Sequence, residues 1–139
     1  HKLQVNAHKI VQVKKGLLPT GKLIDVTGTP FDLTSPVAMH RPLASMHEQL
    51  KLAQGMDKAH GGFDHTWVFD RYDGKLRYQV QLSGSAKGKQ GKLIAFRSGV
   101  ALETQHFADS VNQPGFPNTL LRPGQAYSES TVYRFGSKH

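Results

Sequence analysis

The chain has 139 residues, 37% hydrophobic and 20% charged, with no cysteine and a formal net charge of +8 at pH 7. This composition suits one globular domain of ordinary size and excludes a disordered chain. It also excludes disulfides, thiolate nucleophiles and cysteine zinc sites, and no apolar run approaches the roughly 20 residues of a membrane helix.

Period-2 alternation opens the chain. HKLQVNA places Leu3, Val5 and Ala7 on one side and Lys2, Gln4 and Asn6 on the other, which predicts a half-buried strand. KIVQVKK predicts a second short strand, and KLIDV a third between Gly21 and Gly28. SPVAMHRPLASMHEQLKLAQG is the one stretch with a helical pattern, with Met46, Leu50 and Ala53 on a face and Gly55 as a stop.

HTWVFDRYDGKLRYQVQL reads as strand, turn, strand around Asp73-Gly74, a hairpin signal. SGSAKGKQGK reads as a loop, and LIAFRSGVALETQHF as extended chain broken at Ser98-Gly99. QAYSESTVYRF predicts a last strand with Tyr127, Thr131, Tyr133 and Phe135 on one face. Many short strands with frequent turns predict an all-β antiparallel sandwich or barrel, with no internal repeat and no domain linker.

The basic residues are scattered. The densest runs, Lys14-Lys15 and Lys87, Lys89 and Lys92, carry no interleaved aromatics and read as solvated loops. No nucleic-acid partner is expected, because phosphate tracking needs a continuous basic face. No membrane partner is expected either. None of the eight histidines forms an HxH or HxxxH pair on a clear face, so no metal site is expected. The N-terminus lacks the order of a signal peptide, and the chain starts at His1 rather than Met, as a fragment or a processed form would.

Three glutamates occur. Glu48 reads as a solvated helix residue beside Lys51, and Glu129 as a cross-strand partner in the last strand. Glu103 shares a face with Ala101 and Gln105, while Val100, Leu102 and Thr104 face the other way. By pattern alone it is either a solvent-facing carboxylate or a site residue on a polar face that suits a sugar-sized ligand. Asp64 and His65 follow Gly61-Gly62 at a strand entrance, where Asp64 is either a turn residue capping the local backbone or a ligand contact.

GVALETQHFADSVNQPGFPNTLLRPGQAYSESTVYRF, residues 99–135, resembles the C-terminal end of the aldose 1-epimerases. That family shows a pattern LE(T/S)Q-F-PDSPN-P-FP---L-PGE-Y---T-Y-F. Ala108, Val111 and Gln125 stand where the family usually has Pro, Pro and Glu, departures at loop positions. GGFDHTWVFD is similar to the family's GYDH-(F/W)VL segment, and LPTGKLIDVTGTPFDL to its (I/L)PTGE---V-GTPFDF segment. The resemblance therefore runs in order along nearly the whole chain, residues 1–139, as the C-terminal portion of a single domain.

The resemblance implies an antiparallel β-sandwich of the galactose mutarotase (supersandwich) type, here partial. It implies interconversion of α and β anomers of aldohexoses such as galactose and glucose. It gives Glu103 the role of base at the anomeric hydroxyl and Asp64 that of holding sugar hydroxyls, with Gln105 lining the site. Acid/base chemistry on a sugar needs no metal or organic cofactor: one group deprotonates the C1 hydroxyl, another protonates the ring oxygen, and the ring opens and recloses. Asp109 and Asn112, bonding their own backbone, and Pro114, Pro117 and Pro123 are expected to brace the Glu103 strand.

This chain lacks the NH-YFNL-like stretch that carries the family's acid histidine, and it also lacks the strand pair that the family has between the positions of Leu76 and Gly84. The alternative function is therefore a non-catalytic carbohydrate-binding fragment or pseudo-enzyme. Half a sandwich would leave apolar faces and strand edges bare, so self-association or a need for the missing N-terminal half is expected. A cytoplasmic location is expected, with periplasmic and secreted locations open.

Overall fold

The structure, a computed structural model, describes residues 1–53, 61–84 and 99–137. Two three-stranded antiparallel sheets form its centre. The first has the order β4–β1–β6, from Val37–Ala38, Lys2–Val5 and Val80–Ser83. The second has the order β3–β2–β5, from Leu18–Asp25, Lys9–Lys14 and Trp67–Val68. The all-β antiparallel class expected from the sequence is borne out.

The alternation in β1 does what its pattern predicts: Leu3, Val5 and Ala7 are buried, and they pack with Leu33. In β2 the apolar residues Ile10, Val11 and Val13 are all buried, and a register shift lies between Val11 and Val13. A second cluster joins Ile10, Val26, Phe31 and Leu50. Phe63 and Trp67 pack against both clusters and so tie the two sheets into one core. Phe31 is the hub. Its ring meets Phe63 at 5.3 Å, His65 at 4.6 Å and Trp67 at 5.9 Å, and its carbonyl accepts the Trp67 indole N–H at 3.0 Å.

Four expectations are corrected. The helical stretch is two short helices, α1 His40–Leu43 and α2 Glu48–Leu52. Met46 falls between them and is exposed, because the His47 imidazole caps α2 by accepting the Gln49 N–H at 3.2 Å and so fixes its start. Strand β3 starts at Leu18 and runs through Pro19 and Gly21, which sequence punctuation had placed outside it. The Asp73-Gly74 turn exists, with Gly74 at φ +73, but the strands flanking it do not pair: β5 joins β2, and β6 joins β1. The Asp73 carboxylate accepts from the Lys75 N–H and the Arg77 guanidinium, which stabilises the turn without a ladder.

The fourth concerns the C-terminal segment. Residues 99–137 contain one 3-10 turn, Ser110–Asn112, and no strand. Two stretches of this segment nevertheless touch. The Thr104 and Thr131 hydroxyls bond at 2.7 Å, and the His106 and Tyr127 rings lie 6.0 Å apart. These side-chain contacts join the two stretches without a backbone ladder. An isolated pair of strands is marginal without a third strand or an apolar surface beneath it. The SGSAKGKQGK loop lies outside the described residues from Ser85 onward.

Candidate functional site

Asp64 is positioned by its neighbours. Phe63, His65 and Trp67 all contact the Phe31 ring, and Asp64 between the first two is exposed. The Val11 N–H donates to the Thr66 carbonyl at 2.9 Å, extending the β2–β5 register toward Asp64. The Asp64 N–H donates to Nδ1 of His65 at 3.2 Å. That bond favours the neutral His65 tautomer with its proton on Nε2, a buried atom near the Gln49 backbone but without a well-formed hydrogen bond.

Burial pushes the His65 imidazole down to about 4, and nearby His47 pushes the same way, against the raising effects of Asp64 and the Gln49 backbone. His65 is therefore neutral at pH 7 and carries no extra proton to give.

A cavity of about 150 Å³ opens beside these residues. Engineered cavities of that order hold one benzene ring, so the space suits a single small ring rather than a large ligand. Val11, Val13, Leu17 and Pro19 form an apolar wall, and Asp64, His65, Thr66 and Gln105 a polar one. Ala108 completes the lining. An amphipathic cleft of this kind suits a small ligand with an apolar body and several polar groups.

Two of the three residues named from the sequence, Asp64 and Gln105, thus meet at one cavity, although 41 positions separate them. Glu103 lies two residues before Gln105, exposed, and does not line the cavity. Sequence reasoning missed the apolar wall. Leu17 and Pro19 carry no reactive group, and their only signal was the LPTG likeness. Leu17 has φ +59, uncommon for a bulky residue, in the three-residue turn between β2 and β3. Ala108, read as a loop departure, stands in the cavity wall.

The loop after Gln105 is braced, though differently from the expectation. The Asp109 carboxylate accepts from side chains, Asn112 at 2.5 Å and Gln113 at 3.0 Å, rather than from its own backbone. Those bonds hold its carboxyl below the usual carboxylate range. The Ser110 hydroxyl donates to the Phe107 carbonyl at 2.6 Å, and buried Phe116 meets Phe107 edge-on at 5.0 Å. Glu129 accepts from the Tyr72 hydroxyl rather than pairing across a strand. Among the described residues no three His, Asp or Glu side chains converge as metal ligands, and no helix is long and apolar enough to cross a membrane.

Comparison with known proteins follows the same line. A family model described as aldose 1-epimerase matches residues 1–134. The chain is 33% identical to the galactose mutarotase of Rattus norvegicus and 32% to that of Homo sapiens, with 97% of this chain and 43% of each relative covered. It is 29% identical to the aldose 1-epimerase of Escherichia coli K12, covering 97% of this chain and 44% of that protein.

A crystal structure of galactose 1-epimerase from Lactobacillus acidophilus superposes with TM-score 0.49 at 26% identity, over 60% of this chain and 22% of that one. The chain spans less than half the length of the curated relatives it matches. The mammalian matches extend over 160 residues, more than the 139 present, so those relatives carry positions with no counterpart here. The chain belongs to the aldose 1-epimerase family.

Proposed function

We propose that this chain is the C-terminal portion of a mutarotase domain and acts on aldohexoses such as galactose and glucose. Its cavity holds one sugar ring, Asp64 accepts hydrogen bonds from sugar hydroxyls, and Gln105 adds an amide to the polar wall. Charge-assisted bonds from hydroxyls to a carboxylate are about twice as strong as neutral ones, which suits Asp64 to a ligand rich in hydroxyls. Glu103 is the base. It takes the C1 hydroxyl proton as the bond between C1 and the ring oxygen breaks, and solvent water gives the ring oxygen a proton. The open aldehyde turns about C1–C2, recloses on its other face, and the two protons return. The observation that carries this reading is the meeting of Asp64 and Gln105 across a half-apolar, half-polar cavity.

A second reading is a sugar-binding chain without catalysis. Two observations favour it. Glu103 lies outside the cavity lining, and neutral His65 is no substitute for the acid. Polarimetry of freshly dissolved α-D-galactose and α-D-glucose separates the two. Mutarotase activity predicts faster approach to the anomeric equilibrium, lost in Glu103→Gln. Sugar binding with no acceleration, unchanged in Glu103→Gln, leaves the binding reading.

A further inference from the structure

The cavity's walls come from distant parts of the chain. Leu17 and Pro19 belong to the β2–β3 hairpin, and Gln105 and Ala108 to the segment before the 3-10 turn. Gln113 ties the two together. Its Nε2 donates to the Pro19 carbonyl at 3.3 Å and to the Asp109 carboxylate at 3.0 Å. A carboxamide suits this place because it offers two N–H donors to two acceptors at once. Pro19 and Ala108 are lining residues themselves, so the clasp acts directly on the cavity edge.

The surrounding backbone is shaped to admit it. Gly21 has φ +81, and a Cβ there would lie 2.6 Å from Oε1 of Gln113. Any side chain at position 21 would therefore both strain the backbone and push the amide away. Asp109, the other end of the clasp, holds φ +60 and is fixed by Asn112 at 2.5 Å. The position of a Cβ on Gly115 lies 3.9 Å from the Gly21 carbonyl, so the loop stays against the hairpin beyond the clasp.

We propose that Gln113 is a positioning residue that sets the separation of the two cavity walls, and through it the fit of an aldohexose ring. The ligand class rests on the function proposed above; the clasp itself rests on the Gln113 geometry.

The test uses the full chain, D-galactose as ligand, and NMR. Gln113→Glu sets a carboxylate against a carbonyl and a second carboxylate, and Gln113→Ala removes the clasp without repulsion. Both are expected to shift the Gln105 and Ala108 amide signals in the free protein, to weaken galactose binding at least about tenfold, and to leave the unfolding midpoint near that of the parent. In Gln113→Ala the Asp109 carboxyl carbon should titrate at higher pH than in the parent, a signature that general destabilisation does not produce. Unmoved Gln105 and Ala108 signals with parental galactose affinity would overturn the proposal. If the parent chain itself binds no galactose, the sugar reading fails, and the clasp then stands or falls on the amide and Asp109 signals alone.

Discussion

Residues 1–53 and 99–137 carry similar alternating patterns and reach opposite ends. In the first region the apolar residues of β1 and β2 are buried between paired strands. In the second, Val100, Leu102, Tyr127, Val132, Tyr133 and Phe135 are exposed, Phe135 at 91%. Among the described residues every buried apolar side chain except Phe116 lies between Leu3 and Leu50. Alternation is therefore necessary for a half-buried strand and not sufficient for one. The backbone groups of a strand need a neighbour, and its apolar face needs a surface.

Core truncation should break the contrast most sharply. Phe31→Ala removes the ring on which Phe63, His65 and Trp67 meet. A loss of about 3–5 kcal/mol is expected in urea unfolding. Phe135→Ala should change stability by less than about 0.5 kcal/mol, as at other exposed sites. Equal losses at the two positions would erase the distinction between the regions.

A smaller effect is expected at Gln49, the buried polar residue among the described ones. Its side chain accepts the Val13 N–H and donates to the Val13 carbonyl, both at 3.0 Å, where the β2–β3 register shifts. Gln49→Leu leaves both backbone groups without their side-chain partner, and a loss of about 1–3 kcal/mol in all is expected from the usual desolvation cost. A midpoint unchanged in Gln49→Leu would show that water reaches the shift and that α2 does not pin β2.

The exposed C-terminal face sharpens the comparison from the other side. Paired Tyr133→Lys and Phe135→Lys changes should lower any concentration-dependent association seen in sedimentation, with little change in the unfolding midpoint. A polypeptide covering the rest of a relative's length should raise hydrogen-exchange protection in residues 99–107 and 125–135 and leave β1 and β2 as they were. Protection that rises equally in both regions would mean general compaction rather than added strands.

These contrasts mark what the sequence could carry. Strands β1 and β2 were legible because burial of one face shows in local periodicity, even though each takes one partner from far along the chain, β6 for β1 and β5 for β2. The Asp73-Gly74 hairpin misled because turn chemistry fixes a reversal and not the partners of the strands that leave it. Asp64 and Gln105 were legible as residues through family likeness, while their meeting was not, since it depends on tertiary packing across the hairpin. The apolar wall of Leu17 and Pro19 was invisible because such side chains show no chemistry until a cavity gives them a role. Gln113 stood in plain view within VNQPGFPN, and only its contact with Pro19 sets it apart.

The last expected effect is a pH dependence at His65, whose ring packs on Phe31. His65 is held at about 4, below its ordinary value of 6.5. In the window between those values the unfolded chain binds a proton that the folded chain does not. Stability should therefore fall as pH drops from 6.5 toward 4, and the contribution should be complete above that window. The Asp25, Asp32, Asp73 and Asp109 carboxyls are lowered from 3.8, so their losses begin at lower pH and do not mimic it. His65→Gln keeps a polar side chain and cannot titrate. Its unfolding midpoint should be flat from pH 6.5 to 4.5 while the parent's declines. A decline of equal slope in both would show that His65 is not the titrating group.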